Sequence, residues 1–232
     1  MLRPTLSLLA AILLPVTLNA AIPATGIYGT AHDLSVTGLH SVTQSANTCV
    51  FCHAVHKSAS SANQLIPAWN HATTNTTFKM YNSANVLGTT IHGQVDSQPT
   101  GPSLACLSCH DGTVAVGSLV NSVGAPGAST YTAATGGVNP ASGMIATGPN
   151  LIGSDLSNDH PISITYQDNL NSNLVPAATL IGVKLYPANA TGGKVQCSSC
   201  HDVHNYGVAG STAPFLRVSM VGSALCRSCH MN

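Results

Sequence analysis

The sequence predicts a mostly irregular, loop-rich fold with few short helices. Its 232 residues include 21 glycines and 13 prolines and no glutamate, so helix propensity is low over most of the chain. The apolar residues are scattered without a helical or strand repeat, so no conventional core is visible. Four Cys-x-x-Cys-His motifs use all eight cysteines. We therefore expect groups bound at these motifs to replace the missing core.

The four motifs each combine two thiols and an imidazole at a fixed spacing. In chain order they contain Cys49, Cys52 and His53; Cys106, Cys109 and His110; Cys197, Cys200 and His201; and Cys226, Cys229 and His230. Two thiols three residues apart can bind the two vinyl groups of one haem, and the next residue can ligate its iron. The motifs predict four covalently bound haem c groups, with the four motif histidines as proximal ligands. The fold would then be a small multihaem cytochrome c fold organised around a haem chain.

Two other interpretations of the cysteines are less favoured. Zinc knuckles need paired Cys-x-x-Cys units, with no requirement for a histidine directly after each. Secreted disulfide frameworks also have even cysteine counts, but they rarely place every cysteine at one spacing. Covalent haem explains both the spacing and the histidine.

The N-terminal residues are typical of a secretory signal peptide. Arg3 gives a basic start, the stretch from Leu6 to Val16 is apolar, and Asn19-Ala20-Ala21 supplies small residues for cleavage. We predict a signal peptide at residues 1–20 and a tetrahaem domain at residues 21–232. No later stretch approaches the roughly 18 to 20 apolar residues of a membrane helix, so we expect no membrane span. The protein is expected to pass through the periplasm to the cell surface or the extracellular medium.

The charge balance excludes one class of partner. Of seven Lys and Arg residues, Arg3 would be removed with the signal peptide. The positive charges of the other six are balanced by seven aspartates. Such a chain lacks the excess of positive charge that nucleic-acid-binding proteins have. Four haems would add eight propionates, with few cations to pair with them. We expect the propionates to use Ser, Thr, Tyr and backbone donors, or to face solvent.

The chain repeats itself loosely, as two dihaem modules. The first module spans about residues 21–125 and the second about residues 150–232. Each contains an Asp-Leu-Ser sequence, a motif followed three residues later by another histidine, and then a second motif. The repeat helps to choose the second axial ligands.

Seven histidines lie outside the motifs, and four of them are predicted as distal axial ligands. The seven are His32, His40, His56, His71, His92, His160 and His204. His56 and His204 lie three residues beyond a proximal histidine, so on one helical turn each would point the same way as that ligand. Each is therefore expected to ligate a different haem. His32 and His160 are the equivalent pair from the two modules.

Other sixth ligands stay open. His40, His71 and His92 are alternatives within the first module. The methionines of the mature chain are Met80, Met144, Met220 and Met231. They are less favoured, because the histidines exceed the need.

Two histidines on every iron would leave no coordination position open for a substrate. This favours electron transfer and indicates that the protein is not an enzyme. A multihaem reductase would need one five-coordinate haem and a nearby acid-base group, and this chain is short for that class.

Several stretches resemble a known family. They are Cys49-Val-Phe-Cys-His-Ala-Val-His with the later Pro-Ala-Trp-Asn, Cys106-Leu-Ser-Cys-His-Asp-Gly-Thr-Val-Ala-Val-Gly, and Asn158-Asp-His-Pro-Ile-Ser. The chain resembles the paired Cys-x-x-Cys-His cytochromes of metal-reducing bacteria. Within them, it is similar to the OmcE-type tetrahaem filament cytochromes over essentially the whole mature chain.

This resemblance implies subunits that polymerise into a conductive filament, or nanowire. The haems would form a continuous bis-histidine chain, with one axial histidine donated by the neighbouring subunit. Electrons would pass to other redox proteins or to extracellular acceptors such as metal oxides. We expect the donated ligand to be His32 or His40, because the N-terminal segment before the first motif binds no haem of its own. The alternative is a monomeric periplasmic tetrahaem electron shuttle.

Overall fold

A computed structural model describes residues 26–35, 45–54, 68–81, 91–121, 137–170, 173–187, 192–205, 207 and 214–231. Most of these residues lie in loops and turns, which confirms the predicted irregular fold. The α-helices in this part of the chain are α1 (Gly101–His110), α2 (Cys197–Cys200) and α3 (Ala224–Arg227). Short 3₁₀ helices occur at Thr48–Phe51, Ala177–Thr179 and Val221–Ser223.

Within the described residues, no helix is long and apolar enough to span a membrane. The segment predicted as a signal peptide, residues 1–20, lies outside the described residues.

Helix α1 carries the second motif at its C-terminal end. It begins after Thr100, whose backbone is extended (φ −128°, ψ 169°), and it tolerates Pro102 because first-turn amides have no intrahelical acceptor. Leu107, between the two motif cysteines, is fully buried. The helix ends at His110, and Gly112 then adopts a left-handed conformation (φ +78°) that stops it. The whole second motif therefore lies in the last helical turns.

A two-stranded antiparallel sheet leads into the third motif. It pairs β1 (Ile164–Thr165) with β2 (Lys194–Val195). A single bridge joins Val95 to β1, and another joins Tyr186 to β2. Since β2 ends two residues before α2, the sheet holds the third motif beside the segment that precedes α1.

Four small clusters replace a single core in the described residues. They are Val50, Phe51, Val116 and Ile145; Phe78, Met80, Leu107 and Leu156; Tyr166, Ala177, Leu180, Val183 and Leu185; and Trp69 with Ala105. Cys109, Cys229 and Cys52 pack against the first, third and fourth of these clusters, respectively. The apolar side chains are therefore gathered around the motifs, as expected if bound groups complete the core.

One backbone arrangement occurs in both predicted modules. His53 forms a single antiparallel bridge with Trp69, and His201 forms one with Leu216. In each case the chain leaves the motif and returns to pair with its histidine. The first and third motifs are therefore held in the same way.

The two Asp-Leu-Ser sequences also form the same turn. Asp33 Oδ1 accepts hydrogen bonds from the backbone N–H (3.2 Å) and hydroxyl (2.6 Å) of Ser35. Asp155 Oδ1 accepts the same pair from Ser157, at 3.0 and 2.5 Å. These are Asx turns, in which the carboxylate replaces a backbone acceptor. The division into modules at residues 21–125 and 150–232 stays a prediction, but these local structures agree with a repeat.

Candidate haem-binding sites

The eight motif cysteines form no disulfide. Cys49 and Cys226 are exposed, and the other six are half-buried. Burial, and then the charge of Cys49, raises the pKa of the Cys52 thiol to about 11. Burial also raises the pKa of Cys229 to about 11, with smaller contributions from Cys200 and Cys226. These thiols stay protonated at neutral pH.

The second and third motifs are in direct contact. Interaction with the neighbouring Cys197 thiol, together with burial, raises the pKa of Cys106. The same interaction lowers the pKa of Cys197. The backbone N–H of Cys197 donates to Ser103 Oγ on α1, at 2.9 Å. Helices α1 and α2 therefore present their attachment cysteines to each other.

The other consecutive motifs also lie side by side. Burial is the main cause of the raised pKa of Cys109, and the charge of Cys52 is the next. Burial likewise raises the pKa of Cys200, with further contributions from Cys197 and Cys226. Cys109 also packs against the cluster that contains Val50 and Phe51, so the first motif neighbours the second. The influence of Cys226 on Cys200 indicates that the third motif lies near the fourth. The four attachment sites follow one another in space in the order of the chain.

Three motif histidines each face one of the predicted distal histidines. The ring centroids are 6.3 Å apart for His53 and His204, 6.1 Å for His110 and His32, and 6.5 Å for His230 and His160. Two imidazoles that bind one metal from opposite sides, through bonds of about 2 Å, have their centroids about 6 Å apart. Each pair therefore has the spacing that a shared haem iron requires.

His204 faces the first motif and not its own, but not for the reason that the spacing suggested. Helix α2 ends at Cys200, and the backbone of His201 is extended (φ −104°, ψ 146°). The two histidines are thus not on one helical turn, and His204 reaches His53 from a loop. Its counterpart His56 lies outside the described residues.

Backbone carbonyls orient two of the paired rings. His110 Nδ1 lies 2.7 Å from the carbonyl oxygen of Asn150, and His160 Nδ1 lies 3.1 Å from that of Pro161. A carbonyl oxygen only accepts, so Nδ1 carries the hydrogen and Nε2 keeps its lone pair. This is the arrangement that leaves Nε2 able to bind iron.

His201 has no facing histidine among the residues that the structure describes. Burial, then the charges of His110 and Arg217, lowers the pKa of His201, which keeps its imidazole neutral and able to bind a metal. His40 and His56 lie outside the described residues. They are the remaining candidates for its partner.

Two alternative ligands are placed unfavourably. His71 is only 1% exposed, and its ring nitrogens lie 2.8 Å from the oxygen of Ala72 and 3.0 Å from that of Ala115. Burial lowers the pKa of His71, and the neutral ring can donate to only one of these two oxygens; its Nε2 also lies 3.6 Å from Cys109 Sγ, so the ring is enclosed by the protein. Met80 is buried in an apolar cluster with Phe78.

Two side chains that the sequence analysis missed hold the loops of the first and third motifs. Asn70 Nδ2 donates to the carbonyl oxygen of Val50 at 2.6 Å. Arg217 Nε donates to that of Ser198 at 2.8 Å, and its Nη1 donates to Asp202 at 2.8 Å. Both Asn70 and Arg217 stand three residues after a proline that follows the motif. Aligning the two motifs through that proline would have found them.

Buried donors and paired cations bear on how haem propionates could bind. Trp69 Nε1 and Ser198 Oγ are buried and have no hydrogen-bond partner within the described part of the protein. Three cations already pair with aspartates: Lys79 with Asp155 at 3.1 Å, Lys194 with Asp96 at 2.7 Å, and Arg217 with Asp202 at 2.8 Å. Uncharged donors such as Trp69 are therefore the candidates to donate a hydrogen bond to a propionate. In this respect the described residues fit haem, the group that the motifs imply.

Comparison with known families gives one match. Residues 188–232 match the doubled CXXCH motif, which covers the third and fourth motifs. No curated protein matches the chain. The motifs indicate covalently bound haem c, and the paired arrangement supports a multihaem c-type cytochrome with a role in electron transfer.

Proposed function

We propose that this protein is a tetrahaem c-type cytochrome whose copies join into an extracellular, electron-conducting filament. The single observation that carries the electron-transfer part is the spatial order of the attachment cysteines. The resemblance to OmcE-type cytochromes supports the filament. The proposed four haems correspond to the four motifs.

Neighbouring cysteines bring neighbouring haems together, because each motif would hold its haem through those thiols. Cys197 N–H donates to Ser103 Oγ on α1 at 2.9 Å and the Cys197 thiol interacts with that of Cys106, so the second and third haems would be adjacent. When bound, haem c supplies one-electron exchange between ferric and ferrous iron. The protein attaches the groups at fixed spacing, orients the imidazoles and buries part of each site.

The three histidine pairs favour conduction over catalysis. His53 and His204, for example, could hold one iron between them, and that iron would then have no position open for a substrate. A substrate would have to displace a histidine before reaching the metal. We therefore propose that the protein is not an enzyme and that its partners are redox proteins, extracellular acceptors such as metal oxides, and further copies of itself.

The proposed bond between subunits is best assigned to His201. His32 faces His110 of its own chain at 6.1 Å, so His40 is the better candidate for the ligand that the N-terminal arm donates. His56 of the same chain is the competing ligand. Only a histidine from a neighbouring copy would join subunits through iron.

Electron microscopy of the sheared extracellular fraction tests this proposal. We would compare cells making the wild type, His40→Ala, His56→Ala and His92→Ala, the last as a control on an exposed histidine. Wild-type filaments that disappear in His40→Ala and persist in His56→Ala and His92→Ala support the donated ligand. Filaments in all four samples would contradict it. Dispersed particles in the wild type would favour the monomeric shuttle.

The number of haems is tested separately on the purified protein. We expect the intact mass to exceed that of the processed chain by four haems, and the pyridine haemochrome spectrum to give the same ratio. A chain with fewer covalent haems would contradict the tetrahaem proposal, whatever the microscopy shows.

A further inference from the structure

The first and third motifs are held by the same return of the chain. The backbone N–H of Ala54 donates to the oxygen of Ala68 at 2.8 Å, and that of Asn70 donates to Cys52 at 3.0 Å. Directly before the bridge, Ala68 has a positive φ of +56°. We call residues 68–70 the first return segment.

The second return segment, residues 215–217, repeats these bonds. The N–H of Asp202 donates to Phe215 at 2.7 Å, and that of Arg217 donates to Cys200 at 2.8 Å. Phe215 has a φ of +62°, as Ala68 does in the first segment. Two non-glycine residues in the left-handed region at equivalent places show that the correspondence is residue by residue.

The last residue of each segment also makes the same side-chain bond. Asn70 donates to Val50 at 2.6 Å and Arg217 donates to Ser198 at 2.8 Å, and each acceptor is the residue after the first cysteine of its motif. The bond clamps the loop that spans the two thioether positions. One clamp is a neutral amide, and the other is a permanently charged guanidinium.

The two clamps differ in charge, and both are too buried for solvent to screen that difference fully. The Arg217 side chain is only 12% exposed, and Asn70 is 1% exposed. Asp202 balances part of the charge at 2.8 Å, but its other carboxylate oxygen accepts from the backbone of His204. At the place of Asp202, the first module has the apolar Ala54. The third site therefore has an ion pair with its cation bonded to the motif loop, whereas Asn70 and Ala54 at the equivalent positions of the first site carry no charge. Asp202 also approaches the first site, because its carboxylate lies 3.7 Å from Nδ1 of His204.

We propose that Arg217 is a positioning residue that raises the reduction potential of the haem at Cys197 and Cys200 relative to the haem at Cys49 and Cys52. Reduction adds one electron to ferric iron and gives ferrous iron, with no bond made or broken, so the site loses one positive charge. A fixed cation beside the site stabilises the reduced form. The proposal rests on the proposed function, because it needs haem at these motifs.

The decisive variant is Arg217→Asn, which places the first module's residue in the third site. Asparagine can keep the bond to Ser198 while the charge is removed. At a fixed electrode potential, we expect the ferrous-to-ferric ratio of one haem to fall by about threefold, because Asp202 and partial solvent exposure reduce the full effect of the charge. A one-electron wave moves by about 59 mV for each tenfold change in that ratio. The other three waves should stay in place.

Three further variants separate charge from packing. Arg217→Lys keeps the charge and should leave the wave near its wild-type position. Asp202→Asn removes the partner anion and should move the same wave in the opposite direction; the wave of the first haem should move as well, because Asp202 also contacts His204. Lys79→Asn removes an exposed cation that pairs with Asp155 and should move no wave.

The outcomes separate this inference from the proposed function. If Arg217→Asn binds four haems and all waves are unchanged, or if Arg217→Lys shifts the wave as far as Arg217→Asn, the charge does not set the potential. If Arg217→Asn loses haem, Asp202→Asn decides, and an unmoved wave overturns the inference. A wild type without covalent haem contradicts the proposed function itself.

Discussion

The facing histidines give the sharpest prediction at the scale of single residues. His204→Ala should leave the haem of the first motif without its second axial ligand, although His204 lies 151 residues beyond His53 in the sequence. We expect one haem to become high-spin and to bind carbon monoxide, while the other three stay low-spin. Absorption and electron paramagnetic resonance spectra would show this.

His92→Ala is the matched control for that experiment, because His92 is exposed and faces no motif histidine among the described rings. Its spectra should be those of the wild type. If every haem stays low-spin in His204→Ala, the pairing with His53 is wrong.

The Asx turn at Asp155 predicts a dependence of stability on pH. Hydrogen bonds from the hydroxyl and N–H of Ser157, with help from Lys79, lower the pKa of Asp155 from 3.8 to about 2. A lowered pKa in the folded state means that the charged form stabilises the fold above about pH 4. This contribution is lost as the pH falls from about 4 to 2.

Thermal unfolding between pH 2 and pH 6 would measure how much the ionised Asp155 stabilises the fold. Asp155→Asn should flatten the acid part of the curve, and Ser157→Ala should flatten it partly, because it removes the largest cause of the shift. Curves parallel to the wild type for both variants would show that this turn does not contribute to acid sensitivity.

At the scale of secondary-structure elements, the end of α1 depends on one glycine. A Cβ at Gly112 would lie 2.5 Å from Leu151 Cδ1 and 2.6 Å from the oxygen of Ile145, and its φ is +78°. Gly112→Ala should therefore cost about 2 to 4 kcal/mol of unfolding free energy, from backbone strain and steric overlap together. Chemical denaturation followed by circular dichroism would measure the loss.

Gly148→Ala is the control for steric overlap. Gly148 also has a positive φ (+86°), but a Cβ there would meet nothing within 4 Å. It should cost only about 1 kcal/mol, the part due to backbone conformation. Equal losses in the two variants would mean that contact with Leu151 and Ile145 is not important.

The elements themselves show what composition can predict and what it cannot. Many glycines and the lack of an apolar repeat predicted a loop-rich fold correctly. The two-stranded sheet was not foreseen, since each strand has only two residues and Lys194–Val195 has no strand-like repeat. The position of the sheet depends on contacts with distant segments, such as the bridge from Val95 to Ile164. A local sequence pattern does not show such contacts.

At the scale of the whole molecule, a partly buried ion pair joins the two predicted modules, which an exposed pair between Lys79 and Asp155 also joins. Lys194 Nζ lies 2.7 Å from both carboxylate oxygens of Asp96, and the two side chains are 31% and 22% exposed. Asp96→Asn should lower the unfolding free energy by about 1 kcal/mol. The loss should shrink at high salt, because screening weakens the pair in the wild type.

Lys79→Ala provides the comparison, since the pair between Lys79 and Asp155 is 51% and 57% exposed. Lys79→Ala should leave the unfolding free energy at neutral pH nearly unchanged. If the two variants have the same effect at low salt, the partly buried pair does not connect the modules energetically.

The sites were predictable to different degrees for a physical reason. Attachment cysteines and proximal histidines follow from covalent spacing, which the sequence displays directly. His32 and His160 came from the comparison of modules and His204 from its spacing after a proximal histidine, and the structure places each beside a motif histidine. The partner of His201 could not be identified, and the clamp by Arg217 was missed, because both depend on how separate loops meet in space.

The contact between Cys106 and Cys197 also constrains how the protein can mature. Before haem is attached, these two thiols from different motifs would lie within reach of each other in the folded chain. In an oxidising compartment, such a pair can be converted to a disulfide that blocks two attachment sites at once. If the protein is exported, as we propose, we expect the apoprotein to be loaded with haem while it is still unfolded, or to be kept reduced until loading is complete.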